Sequence, residues 1–148
     1  MEKNMAKLET VWLGDQKSEV THLQSGEKII TDAPSDIQGK GRYFSPTDLL
    51  AASLGSCIMT GMAAYAEAHG MDLTGTRLIT DKIMSANPRR VGEIIIDIYF
   101  TGSFDEKQRM VLKRVAETCP VGKSLCPEVK QTVRFHFTLA SETENQEE

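Results

Sequence analysis

The fold of this chain is decided by SPTDLLAASLGSCIMTGMAAYAEAHG, residues 45–70. Ser45 is placed to cap a helix that has a proline at its first position, Asp48 completes a capping box, and Gly70 suits the left-handed residue that ends a helix. The stretch therefore predicts one long helix. From Leu49 to Ala66 this helix carries no charged residue on any side, so we expect it to be surrounded by protein or by lipid.

A lipid environment is the less favoured of these two. About 18 uncharged residues is the lower limit for crossing a bilayer. However, Ala, Gly, Ser and Thr dominate the segment, and neither flank has the basic cluster or aromatic belt that orients a spanning helix. We expect no membrane partner. The all-round apolar surface needs more cover than one small sheet provides, which predicts that a second copy of the chain supplies the rest.

The composition is that of one ordinary globular domain. The 148 residues are 40% hydrophobic and 26% charged, with a formal net charge of −4, and they are enough to bury a core. We expect a single domain over residues 1–148, ordered from about 7 to 139, with a disordered acidic tail over 141–148. The negative net charge and the lack of a cluster of Lys and Arg residues argue against a nucleic-acid partner.

The amino terminus and the cysteine content indicate the cellular compartment. Residues 1–7 are charged and lack the apolar segment of a signal peptide. We therefore expect a cytoplasmic protein. In that reducing environment the three cysteines are more often reactive or inert than bridged.

Outside the long helix, the hydrophobic pattern predicts a mixed α+β fold. The predicted strands are residues 7–13, 17–24, 27–32, 76–85, 91–100 and 133–139. The first three are joined by tight turns and should form an antiparallel meander. A second helix, amphipathic, is predicted over 105–118. Ile94, Ile96 and Ile98 share one face of the fifth strand, and this face should pack on the long helix.

Two cysteines are candidates for chemistry. Cys119 precedes Pro120 and so caps a short helical turn, where free backbone N–H groups and the helix dipole favour a thiolate, with Lys123 one turn away. Cys57 lies about three turns into the long helix, beyond the reach of the dipole, so a basic residue from elsewhere is required to activate it. Cys126 has no such support. The alternative for each cysteine is a buried, unreactive thiol.

Other catalytic and metal-binding patterns fail on spacing. Gly122-Lys123-Ser124 looks like the end of a phosphate-binding loop, but no glycine-rich loop or hydrophobic strand precedes it. The cysteines lack C-x-x-C spacing, and His22, His69 and His136 are scattered, so we expect no metal site. Gly55-Ser56-Cys57 lies within a helix, where a nucleophile elbow cannot form.

Two motifs together resemble the OsmC/Ohr family of thiol-dependent hydroperoxide reductases. They are SPTDLLAASLGSC, residues 45–57, and CPVGKSL, residues 119–125. The resemblance extends from about residue 7 to residue 139. It implies an OsmC-like α+β fold, with antiparallel sheets around long central helices, in an intertwined homodimer whose two active sites lie at the interface. This agrees with the all-round apolar helix.

Carried over residue by residue, the resemblance implies a role for each of two thiols. Cys57 is the peroxidatic thiolate, which attacks a hydroperoxide, releases the alcohol and becomes a sulfenic acid. Cys119 is the resolving thiol, which condenses with that sulfenic acid to a disulfide. An external dithiol then reduces the disulfide, and no cofactor is implied.

The sequence departs from the family pattern at two supporting positions. Where the family has a glutamate after the proline that starts the helix, this chain has Thr47, followed by Asp48. The family's arginine in the first strands is also missing, because no arginine occurs before Arg42. Arg42 and Asp48 are candidate replacements, with Lys123 as a further cation. These departures place the chain in a divergent branch of the family.

The predicted substrate pocket is more apolar than polar, which favours organic hydroperoxides over hydrogen peroxide. Its residues are Tyr43, Phe44, Leu50, Leu54 and Tyr65. The competing hypothesis is a non-catalytic dimer of the same fold that binds an apolar small molecule in the interface pocket.

Overall fold

The computed structural model describes residues 5–138 and confirms the predicted α+β class. Six strands and three α-helices occur within this range. In chain order they are β1 (Leu8–Gly14), β2 (Lys17–His22), β3 (Lys28–Asp32), α1 (Pro46–Ala68), β4 (Arg77–Ser85), β5 (Arg90–Tyr99), α2 (Glu106–Glu117), α3 (Pro120–Ser124) and β6 (Lys130–His136). The tail over 141–148, for which disorder is predicted, lies outside the described residues.

The chain separates into two compact units, one up to Leu50 and one from Ala51 onward. Each unit has its own three-stranded sheet, β1–β2–β3 in the first and β4–β5–β6 in the second. The expectation of a single domain over residues 1–148 stays a prediction.

The first unit contains the predicted antiparallel meander. β2 pairs with both β1 and β3 in antiparallel register, which confirms that prediction. The tight turns use left-handed backbone, at Asp15 (φ 51°) and Gly26 (φ 79°). Large apolar side chains of this sheet are left open to solvent: Leu8 is 63% exposed and Trp12 62%. All members of the buried hydrophobic core within the described residues come from the second unit.

The sheet of the second unit is mixed, although the sequence predicts antiparallel pairing. β4 and β5 pair antiparallel, from Arg77 opposite Tyr99 to Ser85 opposite Arg90. β6 instead runs parallel to β5, with Ile96 opposite Val133. The physical reason is the connection between β5 and β6, which contains both α2 and α3 and is long enough for a crossover.

The ends of α1 are formed as predicted. The Ser45 N–H donates to the Asp48 carboxylate at 2.9 Å, and the Asp48 N–H donates to the Ser45 hydroxyl at 3.0 Å, which is the predicted capping box. At the other end Gly70 is left-handed, with φ 66°. The Met71 N–H donates to the carbonyl of Ala66 at 2.9 Å and so satisfies one of the last carbonyls of the helix.

One face of α1 packs into the core of the second unit. The buried residues of this face are Ala51, Leu54, Gly55, Ile58, Met62 and Ala66. Four of them, Ala51, Leu54, Ile58 and Met62, share a cluster with three residues of β5 that are each 0% exposed. These are Ile94, Ile96 and Ile98, which confirms that this strand face packs on the helix. By length and composition, α1 is the one helix in the described part of the chain that qualifies as a membrane span.

Gly55 lets side chains of β4 lie close to the backbone of α1. A Cβ atom at this position would lie 2.9 Å from Cδ2 of Leu78 and 3.0 Å from Oγ1 of Thr80. Real Cβ atoms do not come this close to other atoms, so the side chain of Leu78 would have to shift to make room for a side chain here.

The buried face of α2 overlaps in part with the apolar stripe that its sequence predicts, which consists of Met110, Val111, Leu112 and Val115. Asp105 caps the helix, with a capping box completed by Gln108. Its buried residues are Leu112 and Ala116, whereas Met110, predicted to face the core, is 49% exposed. Leu112 and Val115 of the predicted stripe contact the core, and the small Ala116 is buried beside Leu112 in place of Met110.

Asp97 forms a charged cluster on the outer face of the second sheet. Its carboxylate is only 10% exposed and accepts two hydrogen bonds from the Arg134 guanidinium, both at 2.7 Å. Its Oδ1 also lies 2.7 Å from Nε2 of His136, whose ring stacks on that of Tyr99. His136 is exposed, as predicted from its outward position on the strand.

We expect Asp97→Asn to destabilise the protein near neutral pH and to reduce the loss of stability in acid. Arg134 and His136 lower the pKa of Asp97 to about 2. A carboxylate whose pKa is lowered by folding adds stability above its unfolded-state pKa, and this stability is lost as the pH falls through the folded-state pKa. The difference in urea midpoint between parent and variant should therefore shrink between about pH 4 and about pH 2.

The matched control is Asp81→Asn, which removes an exposed carboxylate from the neighbouring strand. This variant should unfold at nearly the urea concentration of the parent. A difference for Asp97→Asn that stays constant from neutral to strongly acidic pH would contradict the assigned ion pair.

Candidate active site

The structure brings the side chains of Cys57 and Cys119 into contact. Cys57 lies on α1 and is half-buried, whereas Cys119 is buried at 6% exposure between α2 and α3. A side-chain hydrogen bond joins the two thiols. Two thiols that are 62 positions apart in the sequence are therefore neighbours within the second unit.

The local chain holds Cys119 at the end of α2 and the start of α3. Thr118 is the C-cap residue that follows α2. Its N–H and its hydroxyl both donate to the carbonyl of Val115, at 3.1 and 2.9 Å. Pro120 then starts α3, because its ring fixes a helical φ and no N–H is needed at this position. The Lys123 N–H donates to the Cys119 carbonyl at 3.0 Å and closes the turn.

Gly122 allows α3 to pack closely against α1. A Cβ atom at Gly122 would lie 3.4 Å from Cδ1 of Leu54 and 2.8 Å from Oε1 of Gln131. Leu54 lies one turn before Cys57 on α1. The close packing at Gly122 therefore places the Cys119 turn beside the middle of α1.

The electrostatics of Cys119 differ from the prediction. Burial raises the pKa of the Cys119 thiol, and its hydrogen bond to Cys57 raises it further. The backbone N–H groups of Gly122 and Val121 act in the opposite direction, as predicted for a helix N-cap, but they are the smaller effect. Desolvation of Cys119 therefore outweighs the short helix in its effect on the pKa of this thiol.

A cavity of about 330 Å³ opens next to Cys119. We call it the Cys119 cavity. Its walls are Ile58, Ala116, Glu117, Cys119, Gly122, Gln131, Val133 and Phe135. Gln131 donates from its side-chain amide to the Gly122 carbonyl at 2.9 Å and so ties the start of β6 to α3.

Arg42, a predicted supporting cation, is held by two carboxylates of the first unit. Its Nε lies 2.9 Å from Oδ2 of Asp32, and its Nη1 lies 3.1 Å from Oδ2 of Asp15. The hydrogen bond from Arg42 lowers the pKa of Asp32, and those from Lys40 and Arg42 lower the pKa of Asp15. The guanidinium is thus engaged, and its action on Cys57 stays a prediction.

Asp48 and Thr47, the predicted replacements for the family glutamate, lie in the first turn of α1. Asp48 accepts the Ser45 N–H in the capping box, and the Thr47 hydroxyl lies 3.2 Å from that of Ser45. Their observed contacts are those of a helix start. Lys123, the further candidate cation, contributes its backbone N–H to the Cys119 turn, while the residue as a whole is exposed.

The predicted pocket residues are found in three different environments. In the first unit, Tyr43, Phe44 and Leu50 are exposed at 47%, 58% and 39%. In the second unit, Leu54 is 1% exposed and belongs to the buried core, and its part in a substrate pocket stays a prediction. Tyr65 stacks on His69 at 3.9 Å between ring centroids and lines a separate cavity with Met71 and Val111.

Sequence reasoning missed several residues that contact predicted site residues or line the Cys119 cavity. The polar ones include Asp15, Asp32, Glu117 and Gln131. All four are common polar residues that reach their positions through the tertiary fold, so no local pattern identifies them. Among residues 5–138, no three His, Cys, Asp or Glu side chains are grouped as metal ligands.

Comparison with known proteins identifies the family. The sequence profile of the OsmC-like protein family matches residues 39–147. The sequence has no match among curated proteins.

Solved structures with the same fold agree with this match. A protein provisionally described as an osmotic stress induced and detoxification response protein, from Psychrobacter arcticus 273-4, is 44% identical, with 90% of this chain and 98% of that chain covered and a TM-score of 0.86. The organic hydroperoxide resistance protein OsmC from Legionella pneumophila is 15% identical, with coverages of 92% and 99% and a TM-score of 0.73. An organic hydroperoxide resistance protein from Elizabethkingia anophelis is 12% identical, with coverages of 93% and 100% and a TM-score of 0.70. The chain belongs to the OsmC-like protein family.

Proposed function

We propose that this protein is a thiol-dependent peroxidase that reduces organic hydroperoxides to alcohols in oxidative-stress defence. The observation that carries this proposal is the direct contact between the Cys57 and Cys119 thiols. A half-buried thiol that peroxide can reach and a buried thiol in contact with it are the two groups that a disulfide-forming peroxidase needs.

The reaction follows from these two positions. The Cys57 sulfur attacks the distal oxygen of R–O–O–H, the O–O bond breaks, and the alkoxide takes a proton and leaves as the alcohol. Cys57 is then a sulfenic acid. The deprotonated sulfur of Cys119 attacks it, water leaves, and a Cys57–Cys119 disulfide remains, which an external dithiol reduces. Because burial raises the pKa of Cys119, we expect this second step to quicken as the pH rises.

The relatives support the same class of reaction. Two proteins with this fold, from Legionella pneumophila and Elizabethkingia anophelis, are named for organic hydroperoxide resistance. The 44% identical protein from Psychrobacter arcticus is named for a detoxification response. We further propose that the protein works in the cytoplasm, where dithiol reductants are maintained.

One equivalent of cumene hydroperoxide should remove two of the three thiols of the reduced protein. We expect mass spectrometry after alkylation to find Cys57 and Cys119 lost together and Cys126 still free, because only the first two are in contact. Hydrogen peroxide should react more slowly, since it has no organic group that could bind to the apolar surroundings of the site. If all three thiols stay free with both peroxides, the peroxidase proposal fails and the non-catalytic binding hypothesis takes its place.

We propose that the functional form is a homodimer. The first sheet leaves Leu8, Trp12 and Ile29 exposed at 63%, 62% and 45%, and α1 leaves Ala52, Ser56, Thr60 and Ala64 exposed on the side opposite its buried face. A second copy of the chain would cover both surfaces, since their apolar atoms gain free energy when removed from water.

Light scattering at micromolar concentration should therefore give twice the chain mass of 16.4 kDa. Dilution should cause dissociation and unfolding together, because an obligate dimer has no stable folded monomer. A folded monomer at that concentration would rule out the obligate dimer.

A further inference from the structure

A separate cavity of about 190 Å³ lies between the end of α1 and the start of α2, within the second unit. We call it the α1–α2 cavity. Its walls are Tyr65, His69, Met71, Lys107, Gln108 and Val111. None of these six residues belongs to the exposed face of α1 that the proposed dimer covers. The proposed dimer and this cavity therefore use different sides of the helix.

One side of the α1–α2 cavity is a pair of stacked rings. The ring centroids of Tyr65 and His69 lie 3.9 Å apart, and the two ring planes are 14° from parallel. Nδ1 of His69 lies 2.8 Å from the carbonyl oxygen of Tyr65. A carbonyl only accepts hydrogen bonds, so Nδ1 donates here and the contact fixes the orientation of the imidazole ring. A second ring can pack on this stack without having to order it first, which lowers the entropy cost of binding.

Two further walls are held by backbone contacts. Gly70 is left-handed, and the Met71 N–H donates to the Ala66 carbonyl at 2.9 Å, which fixes Met71 after the helix. Oε1 of Gln108 accepts the Asp105 N–H at 2.9 Å in the capping box of α2. The amide nitrogen is then the group that Gln108 can offer to a ligand. The cavity is thus largely preformed, as small-molecule sites usually are.

The chemistry of the walls indicates which ligand fits. Met71, Val111 and the stacked rings offer apolar and aromatic surface. Among the described residues that line the cavity, Lys107 is the only Lys or Arg, and none is Asp or Glu. A ligand with a flat apolar body and one negative charge matches both features. The volume of about 190 Å³ is below the usual range for drug-sized ligands, which limits the body of the ligand to a single ring.

We propose that the α1–α2 cavity binds a small aromatic carboxylate, whose ring packs against the Tyr65–His69 stack and whose carboxylate pairs with Lys107. The site goes beyond the proposed peroxidase chemistry, because neither thiol of the candidate active site lines it. The ligand contacts α1 and α2 together only in the folded protein, so saturating ligand should raise the midpoint of thermal unfolding.

Benzoate is the probe that tests this site. In a titration of the reduced full-length chain followed by two-dimensional proton–nitrogen NMR, we expect saturable shifts around Tyr65 and Lys107, with a dissociation constant of about 1 mM. Benzyl alcohol, which keeps the ring and lacks the charge, should bind about twofold to fivefold more weakly. Acetate, which keeps the charge and lacks the ring, should not saturate the site up to about 10 mM. The proposal is overturned if benzoate does not saturate over the same range, or if the shifts centre on the Cys119 cavity.

A charge variant tests the ion pair. Lys107→Gln should weaken benzoate binding by about twofold to fivefold, the effect of one exposed ion pair, and should leave benzyl alcohol binding unchanged. The loss should shrink at high salt. The matched control is Lys113→Gln on the same helix, because the ammonium of Lys113 lies 5.8 Å from the Phe135 ring centroid and Lys113 does not line the cavity. Equal effects of the two variants would rule out the assigned ion pair.

A pair of Tyr65 variants tests the ring stack. Tyr65→Leu should weaken benzoate binding by about twofold to tenfold, since stacking on a ring is lost, whereas Tyr65→Phe keeps the ring and should bind benzoate within about twofold of the parent. Benzoate affinities that are the same for Phe and Leu at this position would contradict the stacked ligand. Lys107 is exposed, so Lys107→Gln decides the question if Tyr65→Leu does not fold.

Discussion

Replacing Cys57 with serine should abolish hydroperoxide consumption, with a loss of more than about a thousandfold in turnover. No other thiol within the described residues is both partly exposed and in contact with a second thiol, and a serine hydroxyl is not nucleophilic enough to cleave the O–O bond without a base. A ferrous-ion assay of remaining cumene hydroperoxide, with dithiothreitol as reductant, measures the effect.

The other two cysteines provide the controls. Cys119→Ser should consume about one equivalent, stop at the sulfenic acid and then over-oxidise, because no thiol resolves it. Cys126→Ser should behave as the parent does, since Cys126 is exposed and takes no part in the assigned mechanism. A Cys119–Cys126 bridge in the oxidised parent, or loss of activity in Cys126→Ser, would show that the wrong pair is assigned.

Ile96→Ala should lower the free energy of unfolding by about 2–5 kcal/mol. Ile96 is 0% exposed in the centre of β5, where it belongs to the cluster with α1 and α2. The truncation removes buried apolar surface and leaves a cavity that close-packed neighbours fill only in part. Urea unfolding followed by far-UV circular dichroism measures the change.

Ile79→Ala makes the same truncation at an exposed site. Ile79 lies on β4 and is 44% exposed, so its loss should cost less than about 1 kcal/mol. If both variants lose the same stability, β5 is not the centre of the core.

Local signals in the sequence were enough to predict most of the fold. The capping residues Ser45 and Asp48, the left-handed Gly70 and the alternation in β5 each act within a few residues of where they stand. Such short-range rules give the type and the approximate bounds of an element.

The errors arose where distant parts of the chain decide the outcome. β6 starts at Lys130 and not at Val133, because pairing with β5 begins with the polar residues Lys130 and Gln131, which show no strand alternation. Its parallel direction follows from the crossover through α2 and α3, which no strand pattern reveals. Met110 was placed in the core by its hydrophobicity, but tertiary packing buries Ala116 instead.

The candidate site could be predicted only as far as its motifs extend. The two cysteines were selected by spacing and resemblance, and the structure places them together. The raised pKa of the Cys119 thiol has no local signal in the sequence, because burial is a property of the whole fold and outweighs the local helix dipole. The ion pair between Arg42 and Asp32 has no local signal either.

The contact between Cys57 and Cys119 also has a consequence for how long the protein survives in the cell. A cross-link between residues 62 positions apart removes loop-closure entropy from the unfolded chain that corresponds to about 4 kcal/mol at room temperature. The oxidised form should therefore unfold less often and resist proteolysis better than the reduced form. Each turnover would switch the protein between a form that resists proteolysis and a form that is degraded faster. The lifetime of the protein would then depend on the ratio of peroxide to reductant.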